Sequence, residues 1–188
     1  MHRTLNGPLL LAHEFGHALY GNLFDVENDA TSINLVGDDS TLGWCNFSEK
    51  KNKAILTRYS RLKDLSGIGG LFGEMLYSGF FSIYGARNDL DEFITCNKHS
   101  NSSVIGELYN WYWLEDDEQS YFKMLTYEET EILECDVSER LPWLYDMFCR
   151  FNKHIDKEKF IDIIDNNYDS RQVIPYNTLN YMIRSVTL

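Results

Sequence analysis

Residues 9 to 21 read LLLAHEFGHALYG and set His13, Glu14 and His17 in an H-E-x-x-H arrangement. An α-helix turns about 100° per residue, so His13 and His17 share one face, one turn apart. Their Cβ atoms then lie roughly 5–6 Å apart. Two imidazoles so placed converge on one ion with Zn–N distances of about 2.0–2.1 Å. Glu14 borders that face without taking a ligand position, so its carboxylate can reach a water at the ion and accept its proton. Zinc in such a site acidifies the water and polarises a peptide carbonyl. In such a site Glu14 would act as general base and then hand the proton to the leaving amine.

A catalytic zinc needs a third protein ligand and one open position, and the motif does not supply the third ligand. The candidates are Glu74, Asp89, His99 and the acids Asp25, Glu27, Asp38 and Asp39. Glu74 stands out as the lone charge in the apolar stretch GIGGLFGEMLYSGFFSI, residues 67 to 83. A carboxylate in such surroundings must be paired or bound to a metal. Asp89 in the first turn of a helix also fits ordinary dipole chemistry. A His-His-carboxylate set accepts several divalent ions, so the residues alone do not select the metal.

The elements that carry these residues follow from the pattern. Asn6 and Pro8 read as a helix start and Gly21 as its stop. The helix between them is apolar on nearly every side, so it is expected to be buried with its polar residues partnered. Residues 31 to 47, TSINLVGDDSTLGWCNF, read as strands over about 31–36 and 41–47 with a turn at Gly37 to Ser40. From Asn52 the pattern is helical, with Ile55, Tyr59, Leu62 and Leu65 on one face. Residues 67 to 83 read as a core helix whose glycines allow close backbone approach. A further helix starts at Asn88 or Asp89. Leu133, Val137, Leu141, Leu144, Phe148 and Phe151 keep three-and-four spacing, with Pro142 kinking or splitting that run. Asp156 caps a short helix and Pro175 opens the last one. The expectation is a single mainly α-helical domain over residues 1–188, with one small β-hairpin next to the active-site helix. Residues 1–100 form the zinc-site half and 101–188 a helical C-terminal half.

Composition narrows the partners. The net charge of −12 repels nucleic-acid phosphates and anionic membrane surfaces. The longest uncharged run, Met75 to Ala86, is far shorter than the ~20 residues of a membrane helix, so no membrane insertion is expected. Cys45, Cys96, Cys135 and Cys149 contain no C-x-x-C pair. They form neither a thiolate zinc site nor a disulfide framework, and they point to a reducing, cytoplasmic setting. His2, His99 and His154 read as solvated or capping residues. The aromatic cluster YNWYWL, residues 109 to 114, reads as core, and EDDEQ, residues 115 to 119, as a solvated turn.

Four segments in order resemble the protease domain of the FtsH-type zinc metalloproteases. HEFGHALYG resembles the family's HEAGHA helix, and ATSINLVGDDSTLGWCNF its short strand, turn and Leu-Gly segment. GIGGLFGEMLYSG resembles its GGRAAEE-type helix, and YGARNDLDEF its TGASNDLE segment. The likeness runs from about residue 9 to 95. It implies that Asp89 is the third zinc ligand and that Glu74 steers a histidine by hydrogen bonding. It implies a zinc-dependent endopeptidase acting on extended or unfolded polypeptides, held by backbone hydrogen bonds to an edge strand near residues 31–36. The family's membrane anchor and ATPase module have no counterpart in this sequence. A stand-alone form is therefore expected, working on loose peptides or with a separate ATPase. The family's protease domains form rings, which makes a homo-oligomer an expectation too. Phe15, Met75 and Arg87 depart from the family pattern without removing a ligand or the base. The rival reading is a silent decoy that binds a protease complex, and the intact Glu14 argues against it.

Overall fold

The structure is a computed structural model and describes residues 7–24, 28–36, 43–49, 65–82, 87–97, 131–133, 138–139, 141–169 and 172–188. Several expectations fall outside these residues: the start at Asn6, the turn at 37–40, the helix from Asn52 through Leu62, and the segments 109–114 and 115–119. So do His2, His99, Asp25, Glu27, Asp38, Asp39, Cys135 and Val137.

The chain is mainly helical with little β-structure. Helix α1, Pro8–Phe24, opens on a proline whose fixed φ suits a first helical position, just after Gly7 at φ +55°. It does not stop at Gly21 as expected. Gly21 is used for packing: a β-carbon there would lie 2.6 Å from the Phe47 ring, so the glycine admits an aromatic side chain and the helix runs on. A single 3-10 turn, Leu65–Ile68, leads into α2, Gly69–Ser78. The expected helix over 67–83 is cut short at Gly79, whose φ of +82° is the left-handed cap glycine adopts without strain. Its N–H donates to the Met75 carbonyl at 3.0 Å. Helix α3, Arg87–Asn97, starts one residue before the expected Asn88 or Asp89.

The β-structure exceeds the single hairpin expected. Strand β1, Asn28–Asn34, pairs antiparallel with β2, Trp44–Glu49, through an irregularity between Ala30 and Ser32. Both strands sit a few residues away from their expected bounds. Two further short strands, β3 (Phe80–Ser82) and β4 (Glu131–Leu133), pair with each other, so Leu133 lies in a strand and not in a helix. A last strand, Val173–Ile174, is β5, and it pairs with β1 through Ile33 and Asn34 to give the order β2-β1-β5. This corrects the expectation of a free edge near residues 31–36. There β1 is the middle strand, and among the described residues β2 and β5 are the edge strands.

Three helices close the fold: α4 (Pro142–Asn152), α5 (Lys157–Asn167) and α6 (Tyr176–Val186). Pro142 splits the helical run and does not kink it: residues 138–139 are helical, Leu141 is not, and α4 begins at the proline. A residue before proline avoids helical geometry, and Leu141 has φ −129°. Asp156 caps α5, accepting from the Lys159 N–H at 3.2 Å, and Pro175 immediately precedes α6. Phe15 of α1 stacks on Phe160 of α5 with centroids 5.6 Å apart. Tyr20 of α1, Phe72 of α2 and Phe148 and Phe151 of α4 share a second aromatic cluster. Each fully buried side chain of this kind contributes about 1.5–3 kcal/mol. The two sides of the sequence are thus joined by one core beneath α1. Among the described residues, no helix is long and apolar enough to cross a membrane.

Candidate metal centre

Helix α1 carries its histidines into the interior because α2 meets it backbone to backbone. A β-carbon at Gly16 would collide with the Gly69 carbonyl oxygen, and one at Gly73 with that of Ala12. At Gly69 it would lie 2.5 Å from the Gly16 carbonyl oxygen. Three glycines therefore let the two helices touch without side chains between them. The consequence is reach. Glu74 on α2 and the carbonyl of Ser66 in the preceding 3-10 turn both come within hydrogen-bond distance of imidazoles on α1.

His13 Nδ1–H donates to Glu74 Oε1 at 2.6 Å, and His17 Nδ1–H donates to the Ser66 carbonyl at 2.7 Å. A carbonyl only accepts, so the proton of a neutral His17 sits on Nδ1 and its Nε2 carries a lone pair. The Glu74 carboxylate imposes the same tautomer on His13. The two Nε2 atoms are 3.0 Å apart. Asp89 Oδ2, from the first turn of α3, is 3.0 Å from His13 Nε2 and 3.5 Å from His17 Nε2.

With both imidazoles neutral, three electron-pair donors thus face one another with no donor hydrogen between them. Around a tetrahedral ion with ligand distances of about 2.0–2.1 Å, neighbouring ligand atoms stand about 3.3–3.4 Å apart. The observed triangle of 3.0, 3.0 and 3.5 Å fits three corners of such a tetrahedron. Among the described residues, His13, His17 and Asp89 form the one group able to hold a metal ion. Gly70 closes one side of it: a β-carbon there would lie 2.5–2.7 Å from His13 Cε1 and Nε2 and His17 Nε2.

The charges agree with the geometry. His13, Glu14, His17 and Glu74 are all buried, and Asp89 is half-buried. With neutral imidazoles, Glu14, Glu74 and Asp89 bring three negative charges to one buried spot, which needs protons or a cation for balance. In the metal-free chain the protons go to the histidines. Burial opposes charging His13 more than any other influence, yet hydrogen bonds to Asp89 and Glu74 and their charges together raise its pKa well above the ordinary value. His17 is also raised, burial again being outweighed, here chiefly by Asp89. Burial pulls Asp89 upward, but the charge of His17 and the bond to His13 hold its carboxyl far below the usual carboxylate range. A metal ion held by His13, His17 and Asp89 would compete with those protons.

Glu14 does not join the triangle. Burial pushes its pKa up, while His13 and His17 pull it down. A β-carbon on Gly43 would lie 3.2 Å from Glu14 Oε1, so the residue just before β2 borders this carboxylate. Of the seven third-ligand candidates, Asp89 stands at the triangle and Glu74 at the far nitrogen of His13. The other five lie outside the described residues. Sequence reasoning missed three contributors. Ser66 acts through its main chain, which no residue type announces. Gly70 and Gly43 act through what they lack. The repeated glycines at 69, 70 and 73 opposite Gly16 were the available signal.

No family model matches the chain, and no curated protein matches it.

Proposed function

We propose that this chain is a zinc-dependent endopeptidase of the FtsH type, cleaving extended or unfolded polypeptides. The observation that carries the reading is the meeting of His13 Nε2, His17 Nε2 and Asp89 Oδ2 at 3.0–3.5 Å with buried Glu14 beside them. Two imidazoles and one carboxylate with a fourth position left over match the donor set of a catalytic zinc. Zinc, when bound, supplies Lewis acidity toward the attacking water and the scissile carbonyl.

The chain's own residues do the rest. Glu74 and the Ser66 carbonyl orient the two rings so that their lone pairs converge. Glu14 accepts the proton of the attacking water as oxygen bonds to the carbonyl carbon. It then delivers that proton to the amine nitrogen as the C–N bond breaks. Burial raises the proton affinity of Glu14, which suits a base that must hold a proton between the two steps. The edge of β2, ending beside Glu14 at Gly43, offers main-chain groups to a substrate in strand conformation. Such a site takes chains that are already unfolded, so a separate ATPase, or assembly of several copies in a ring, would extend its range. The cysteine pattern supports a cytoplasmic setting.

The test pairs metal content with turnover of unfolded casein for the wild type and Glu14→Gln. We expect one zinc per chain in both, and turnover lost at least 100-fold in Glu14→Gln. Zinc retained with no turnover in either form would instead support the decoy reading.

A further inference from the structure

The geometry points to Trp44 as the residue that decides which side chain is accepted next to the scissile bond. A large apolar side chain of an extended polypeptide lying along β2 packs against its indole. This rests on the reading of the centre as a peptidase.

Side chains alternate along β2. Cys45 and Phe47 are half-buried toward α1, and Trp44, Asn46 and Ser48 are exposed on the outer face. Trp44 lies opposite Asn34 of β1, and Asn34 lies opposite Val173 of β5. Val36 follows two residues after Asn34. Trp44, Val36 and Val173 are 36%, 46% and 56% exposed. Scattered single apolar residues on a surface are ordinary. Here three gather at one end of a small sheet, and it is the end that borders Glu14.

Charge singles out the same place. In a chain of net charge −12, the outer row of Ser32, Asn34, Val36, Trp44, Asn46 and Val173 bears no charge among the described residues. Asp29 and Glu49 lie at the opposite end of the β1–β2 pair. An uncharged apolar surface rewards an apolar neighbour and leaves a charged one without compensation.

Position then assigns the occupant. Gly43 borders Glu14 and Trp44 is the next residue, so a strand paired with β2 passes the base and meets Trp44 one residue later. Directly opposed residues on paired strands have Cβ atoms about 4.5–5.5 Å apart, close enough for a substrate side chain to lie on the indole. Aromatic and aliphatic side chains gain from this contact, whereas serine gains little.

The experiment uses the full chain as Glu14→Gln loaded with zinc, so that peptides bind without turnover. Fluorescein-labelled ten-residue peptides carrying Phe, Leu or Ser at each position in turn are titrated by anisotropy, and wild-type cleavage sites in the same peptides are mapped by mass spectrometry. We expect one position to favour Phe over Ser about tenfold, and the ratio to fall to about one when Trp44→Ser is added. If Trp44→Ser does not fold, Trp44→Leu decides: a preference moving from Phe toward Leu supports the assignment, and an unchanged one overturns it. An unchanged ratio in folded Trp44→Ser, or no position favouring Phe, also overturns it. So does self-association that Trp44→Ser abolishes and peptides do not compete with, because the face then belongs to a second copy. A chain that selects Phe in this way and cleaves nothing sinks the peptidase reading while upholding the role of Trp44.

Discussion

His13 and His17 stand one turn apart on the same helix, yet partners of different kinds hold them. The Nδ1–H of His13 meets a carboxylate, that of Glu74. The Nδ1–H of His17 meets a main-chain oxygen, that of Ser66. Each arrangement selects the same tautomer and aims the same nitrogen, but their vulnerabilities differ. The His13 restraint is a side chain that one substitution removes, and it adds negative charge that raises ligand basicity. The His17 restraint is a carbonyl that no side-chain change deletes, and it depends entirely on where the 3-10 turn sits. One half of the couple is tuned by chemistry and the other by backbone placement.

The largest effect should come from breaking both restraints at once. Gly16→Ala forces a methyl group into the Gly69 carbonyl, pushing α2 and its preceding turn away from α1. We expect a loss of about 3 kcal/mol of stability by denaturant unfolding, with no measurable zinc binding. Asp89→Ala removes the neighbour the two rings share. Zinc affinity, by competition with a chromophoric chelator, should fall by more than the 10–100-fold that loss of an outer partner costs. Were Glu74 the third ligand instead, Asp89→Ala would leave affinity intact.

Glu74→Ala separates the two halves. It frees His13 alone and should weaken zinc about 10–100-fold. Acidity sharpens the contrast further. In the metal-free chain the raised pKa of His13 means its ionic stabilisation is complete below about pH 6.5 and is lost as pH climbs through the raised value. Asp89 acts in the opposite direction. Its stabilisation is present above about pH 4 and is lost as pH falls toward its depressed value. With EDTA, melting temperature should therefore peak between about pH 4 and 6.5 and decline toward pH 9. Added zinc should cancel that alkaline decline, because the ion replaces the lost protons, and Glu74→Ala should flatten the decline in the EDTA series. The smallest effect belongs to Ser66→Ala. The carbonyl stays in place, so zinc affinity should remain within about twofold of wild type.

How much of this could be read from the residues follows the same division. His13, Glu14 and His17 announced themselves, because a helix converts a four-residue interval into a shared face. Asp89 could be reached only through a resemblance, since helix-terminal acids are common for unrelated reasons. Glu74 was conspicuous as a charge among apolar residues, and the structure explains it as the partner of His13. The caps at Asp156 and Pro175 were legible as local chemistry. What misled were signals with two uses. Gly21 looked like a terminator and serves as a berth for Phe47, while Gly79 ended a helix expected to continue. The pairing of β1 with β5 was invisible, because Val173 and Ile174 are too short a run to carry a strand pattern and the partner lies far away in sequence.

That remote pairing bears on how the protein is made. A ribosome delivers Ile33 long before Ile174, so β1 has no β5 to pair with until residues 173–174 emerge. A polypeptide arrested before residue 173 leaves that side of β1 without its partner strand, which makes unfinished copies candidates for intermolecular β-pairing and clumping.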